Sequence, residues 1–364
     1  MKRQHSAGYS LVELMVSLVL GLVIMAAVLR IYVGTGQSIR TEDALSRVQE
    51  NARFAVEKLS VDVRQAGFMG CVKDVNVLLN PAGVGYSAAL YDLTRAVSGW
   101  EYTGTAPAST FDSTTLVPTG VPVSNWDDAA GADLDAQFQN QVVPGSDVLV
   151  IRRADQKLDV TASGVTPVNA NTIVLTGASG VPQDTIVLVS DCRGSDLFQN
   201  RAAAAASNLT RGATGSPGNL NPATHEFSHA YDSDMEIYTF SITAYYVGRG
   251  TSGEPALFRR RYPLGGVGVT EELVEGVETM QVLYGEDTDT DRIADVYRTA
   301  DTVTDWARIV SVRIGLLLRA RDEGRGEPDT ATYGLGSMTF NPIDSRNLRR
   351  RVATWTITLR NRVP

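Results

Sequence analysis

The chain has 364 residues, 43% of them apolar, and a formal net charge of −8. That apolar fraction supports a folded core and excludes a disordered stalk, while the length suggests about two domains. The acidic balance repels phosphate backbones, so no nucleic-acid partner is expected.

The first element is an apolar run from Tyr9 to Leu29 in which Glu13 is the only charge. At about 1.5 Å per residue it spans roughly 30 Å, the hydrocarbon thickness of a bilayer. Lys2, Arg3 and His5 precede it and hold the start of the chain on the cytoplasmic side. A carboxylate in lipid costs on the order of 2.5 kcal/mol or more, so Glu13 needs a partner. No Lys, Arg or His lies within a turn or two of it on the same segment. A cut after Gly8 would create one, the new α-amino group of Tyr9, on a neighbouring and axially shifted copy. The alternative, an ordinary secretory signal cut near Ala26-Ala27, leaves Glu13 without purpose.

The basic leader, Gly8, Tyr9 and Ser10-Leu-Val-Glu13-Leu-Met resemble the class III signal of type IV pilins and type II secretion pseudopilins. The resemblance implies cleavage between Gly8 and Tyr9 by a membrane aspartic prepilin peptidase, N-methylation of Tyr9, and guidance of assembly by Glu13. Tyr9 departs from the usual Phe but keeps an aromatic ring. The chain then divides into a leader (1–8), a membrane or filament-core helix (9–29), an amphipathic extension (30–66) and a β-rich periplasmic part (67–364).

Beyond Arg30, Leu45, Val48, Ala52, Ala55, Leu59 and Ala66 recur at helical spacings, with charges on the other faces. No proline precedes Pro81, so one helix is expected from Tyr9 to about Arg64, with a bend or melted turn at Gly34 and Gly36. Gly67 suits its stop. The two cysteines, Cys71 and Cys192, fit one disulfide in an oxidising compartment, worth about 3–4 kcal/mol on the chain-entropy model. From about 80 to 140 the composition turns to Gly, Thr, Ser, Pro and Asp, an insertion of surface loops and short strands. The stretch from Ala202 to Pro222 reads as a flexible loop. Strands are predicted at 147–152, 172–175, 185–190, 238–246, 257–261, 310–318 and 353–359. The 271–285 stretch is mixed, opening as a helical turn and closing as a strand. The fold class is α+β: a long N-terminal helix packed on an antiparallel sheet.

LVEGVETMQVLYGEDTDTDRIADVY at 273–297 and RRRVATWTITLRN at 349–361, with Gly67-Phe-Met-Gly-Cys71 and Ser190-Asp-Cys192, resemble the PilW family of type IV pilus minor pilins. That family is related to GspJ-type pseudopilins, which makes a type II secretion pseudopilin the runner-up. The resemblance implies a non-enzymatic subunit of the bacterial inner membrane that passes into a pilus or its priming tip and supports twitching motility and adhesion. It also implies the partners: prepilin peptidase, other minor pilins and the major pilin, a PilY-type adhesin, and the inner-membrane assembly platform.

Three motifs point elsewhere. His225-Glu-Phe-Ser-His229 fits the H-E-x-x-H zinc protease pattern, with Glu236 or Glu254 as a third ligand, but it follows a Pro/Gly/Asn-rich loop and lacks a helical period. Asp287, Asp289, Asp291 and Asp295 resemble a D-x-D-x-D calcium loop, yet Arg292 stands for the turn Gly and Arg298 for the bidentate Glu. The stronger reading is a solvated acidic hairpin tip, and no cofactor is required. Arg349–Arg351 reads as a solvated strand edge that discourages stray pairing.

Overall fold

Helix α1 runs unbroken from Leu11 to Arg64 in the computed structural model, which describes residues 10–361 apart from 73, 94, 114–115, 265–266, 321–328, 337 and 343–347. Its 54 residues span about 81 Å. Helical hydrogen bonding continues through Gly34 and Gly36, so the expected melted turn is absent. Each glycine costs only about 1 kcal/mol, too little to break a ladder that long flanks extend on both sides. Arg64 ends the helix; Gly67 follows in the left-handed region (φ 73°) and donates its N–H to the Arg152 carbonyl at 2.8 Å.

The strands in chain order are β1 (Asn76–Val77), β2 (Val97–Tyr102), β3 (Thr110–Ser113), β4 (Trp126–Asp127), β5 (Val148–Lys157) and β6 (Thr172–Val174). They continue with β7 (Ile186–Asp191), β8 (Gly194–Gln199), β9 (Asn208–Thr210), β10 (Glu236–Arg249), β11 (Pro255–Leu264) and β12 (Val267–Glu275). The C-terminal part holds β13 (Val277–Glu286), β14 (Val296–Arg298), β15 (Ile309–Arg319), β16 (Tyr333–Leu335), β17 (Met338–Pro342) and β18 (Arg350–Thr358). The architecture is α+β. A nine-stranded sheet follows the order β1-β8-β7-β10-β5-β2-β4, with β11 and β12 added beyond β10. A four-stranded sheet has the order β14-β13-β15-β18. Most pairs are antiparallel; β1–β8 and β3–β17 are parallel.

The mixed 271–285 stretch contains no helical turn. It forms the end of β12 and most of β13, because β12 pairs with β11 and sets Glu271 beside Arg259 at 2.6 Å. Gly276 lies between them at φ 84° and passes the chain from one sheet to the other. The buried stripe of α1, Val48, Ala52, Ala55, Leu59, Val63 and Ala66, packs into one core with residues of β13, β15 and β18. Methylenes and rings removed from water there stabilise the helix far more than its propensity does.

The 80–140 insertion holds loops and short strands, but also a short helix at Ala88–Tyr91 and 3-10 turns at Val123–Asn125 and Ala136–Phe138, and it is not confined to the surface. Trp100, Trp126 and Phe138 are fully buried, and β3 pairs with β17. The 202–222 stretch is likewise tied down. Asn219 is buried, donates to the carbonyls of Gln199 and Gly212, and accepts from the Gln199 N–H.

The arginine run departs from its reading. Arg349 and Arg351 are exposed, but Arg350 is buried on β18. Its Nε and Nη2 reach the Glu278 carboxylate at 2.7 and 3.1 Å, and Nη1 reaches Asp329 at 2.8 Å. Glu278, also buried, meets Arg319 at 2.7 Å. Breaking such a network strands a charge in the interior. Arg350→Ala is therefore expected to lower unfolding stability by about 3 kcal/mol, read from the urea midpoint of the full chain, and a change within measurement error would contradict the assignment.

Candidate functional site

Gly8 and Tyr9 lie outside the described residues. Glu13 stands in the first turn of α1, where the helix N-terminus favours negative charge. Among the described residues no side-chain hydrogen bond or salt bridge engages it. Its neighbours are apolar and uncovered: Leu11 and Tyr32, near the two ends of the run, are each 77% exposed. The segment's mean hydropathy is 2.6 with none of it buried, and among the described residues α1 is the only helix apolar enough to cross a membrane.

The far half of α1 is held by polar contacts as well as by packing. Asp62 is buried and accepts from the Tyr245 hydroxyl at 2.5 Å, with Arg153 at 3.4 Å and Arg259 at 3.8 Å. Asn51 donates to the Glu275 carbonyl at 3.1 Å, and Asn361 donates to the carbonyls of Gln65 and Ala66. Asp62 escapes a reading by residue type because it resembles one more charge on a polar face. Its position seven residues after buried Ala55 is the signal that places it on the core side.

Cys71, just beyond α1, is bonded to Cys192 in the turn between β7 and β8, with Cα atoms 5.1 Å apart. The bridge joins the root of the helix to the nine-stranded sheet. Beside it, Asp191 accepts from His229 Nε2 at 2.8 Å and from Arg193. Burial works against its charge, but the bonds from His229, Arg193 and Gly194 hold the carboxyl down at about 2.

The H-E-x-x-H motif is not helical. His225 bonds Thr224 Oγ1 at 3.0 Å while His229 turns to Asp191, so the imidazoles serve separate loop contacts. Glu236 bonds Lys157 and Tyr238, and Glu254 pairs with Arg319. The zinc-protease reading is not favoured by this geometry. Ser228 Oγ lies 3.0 Å from His229 Nδ1, an arrangement not visible in the sequence. It also bonds Asp196 at 2.8 Å, which commits it to fastening the loop.

In the turn between β13 and β14, Asp287, Asp289 and Asp295 bring carboxylate oxygens within 4.8 Å of one another, while Asp291 is outside that group. The acids are already engaged by backbone. Asp287 accepts from the N–H groups of Thr290 and Arg292, Asp295 from Thr288, Asp289 from Asp291, and Asp291 from Ile293. Those bonds stabilise Thr290 and Arg292 in left-handed conformations, at φ 72° and 70°. Three of these carboxylates are the ones that would hold a calcium ion. Because the loop is closed by its own N–H groups, millimolar calcium is expected to leave the melting temperature of the full chain unchanged. A rise that Asp289→Ala abolishes would instead place an ion there.

Two family models match this sequence. Residues 3–29 match the Prokaryotic N-terminal methylation motif, and residues 244–361 match Type IV Pilus-assembly protein W. The second match begins within β10 and takes in β11–β18. No curated protein matches the chain.

Proposed function

We propose that this chain, a type IV pilus minor pilin of the PilW family, is cut between Gly8 and Tyr9 by prepilin peptidase, that Tyr9 is N-methylated, and that Glu13 then drives its entry into the filament. Supporting this reading is a single carboxylate in the otherwise apolar, uncovered membrane-length stretch that opens α1. The match of residues 3–29, which include Glu13, to the N-terminal methylation motif supports the same reading. The Tyr9 amine, created four residues upstream of Glu13 in each chain, supplies the missing countercharge from an axially shifted copy, in a low-dielectric bundle where such a pair is strong.

The leader cations Lys2 and Arg3 orient the helix with its C-terminal part in the periplasm, an oxidising space that suits Cys71–Cys192. The β-rich part then carries the contacts to other minor pilins, to the major pilin and to a PilY-type adhesin at the tip, after extraction by the inner-membrane assembly platform. Pilin-family domains are structural, and the subunit acts by packing rather than by catalysis. The match to a pilus-assembly family favours the pilus over a type II secretion filament.

Mass spectrometry of the chain from cell membranes is expected to find an N-methylated terminus at Tyr9. An intact leader, or a terminus near Ala27, would refute the processing step.

A further inference from the structure

Where the 97–147 stretch meets β13, two carboxyls are buried side by side. Glu101, on β2, is 4% exposed and Asp147, just before β5, is 2% exposed. Asp147 accepts from the Tyr102 N–H through Oδ1 at 3.2 Å and from the Val282 N–H on β13 through Oδ2 at 2.8 Å. Glu101 accepts from Thr105 Oγ1 through Oε1 at 2.9 Å. Its Oε2 is buried and meets no donor in the described protein except through the carboxyl of Asp147. Among the described residues, neither acid has a salt-bridge partner.

The groups around the pair add no compensating positive charge. Asp301, from the turn at Ala300–Thr302, contributes a further negative charge. Tyr284 on β13 donates its hydroxyl to the Ser98 carbonyl at 3.2 Å. The Arg152 guanidinium spends its donors on the carbonyls of Ala89, Leu90 and Arg95 and on Ser98 Oγ. Two adjoining carboxylates in that setting cannot both ionise. One proton on Glu101 Oε2, donated to Asp147, satisfies the orphan oxygen and leaves both N–H bonds of Asp147 intact.

The same few residues stitch the seam. Asp147 N–H donates to the Met280 carbonyl at 2.9 Å, Met280 N–H to Ser146 Oγ at 3.1 Å, and Thr279 Oγ1 to the Gly145 carbonyl at 2.5 Å. We propose that Glu101 and Asp147 form a proton-held latch: a shared proton closes 97–105 and 145–147 onto β13, and its loss in alkali loosens that seam while α1 stays packed.

Burial, and for Glu101 the charge of Asp147, raises both carboxyls above their ordinary range; Thr105 and the backbone N–H groups oppose this without reversing it. The folded chain thus keeps a proton that the unfolded chain releases. The stability this supplies is complete below the ordinary carboxylate range and is lost as pH rises through the raised values.

Hydrogen exchange of the full chain in detergent, between about pH 6 and about pH 9 and corrected for intrinsic rates, reads the latch directly. Peptides covering 97–105 and 279–284 are expected to open with a dependence approaching tenfold per pH unit, while 48–63 stays protected. Glu101→Gln, whose amide donates to Asp147 at every pH, is expected to flatten that dependence. A flat wild-type profile, or an equal slope in Glu101→Gln, would overturn the proposal. Should that variant fail to fold, infrared spectra of the wild type decide. A protonated-carboxyl band at neutral pH that fades in step with opening supports the latch, and its absence at neutral pH overturns it.

Discussion

A helix that is apolar on every side cannot remain in water, and the first half of α1 is such a helix. No strand of the described protein covers it, so its surroundings must come from lipid or from the helices of other subunits. Within that environment Glu13 is the one group that packing cannot satisfy. The second half of the same helix obeys the opposite rule: its apolar stripe is narrow, and strands of the β part bury it. One continuous rod therefore links an unsatisfied carboxylate at one end to a rigidly held β domain at the other.

Rigidity at the held end rests on buried polar groups placed between apolar layers. Asp62 ties the helix to strands β5, β10 and β11 through Arg153, Tyr245 and Arg259. Glu278, gripped by Arg319 and Arg350, fastens β13 to β15 and β18. Each acid is expensive to bury and is retained with partners, which makes the wrong register costly as well as the right one favourable. Glu101 and Asp147 follow a different rule, since a proton takes the place of the cation.

Much of this was legible in the sequence. The lack of proline before Pro81 and the seven-residue recurrences reveal α1, and alternation at 238–246, 310–318 and 353–359 reveals β10, β15 and β18. The disulfide follows from there being two cysteines, both beyond the apolar run. What was not legible depends on partners distant in the chain. Arg350 looks like its exposed neighbours until β13 brings Glu278 against it. Residues 110–113 resemble a loop until 339–342 supply a pairing strand more than two hundred positions away. The negative charges of 271–275 suggest a helix start only while Arg259 on β11 is out of view. The partner of Glu13 is illegible for a stronger reason: in our proposal it belongs to another molecule and does not exist until the leader has been removed.

The central claim is that this carboxylate is answered by the amine of a neighbouring subunit. Its most direct test is Glu13→Gln in living cells, with the variant quantified separately in membranes and in sheared surface filaments. The account predicts a normally cleaved protein that accumulates in the membrane and is depleted from filaments. Incorporation at the wild-type level would contradict it.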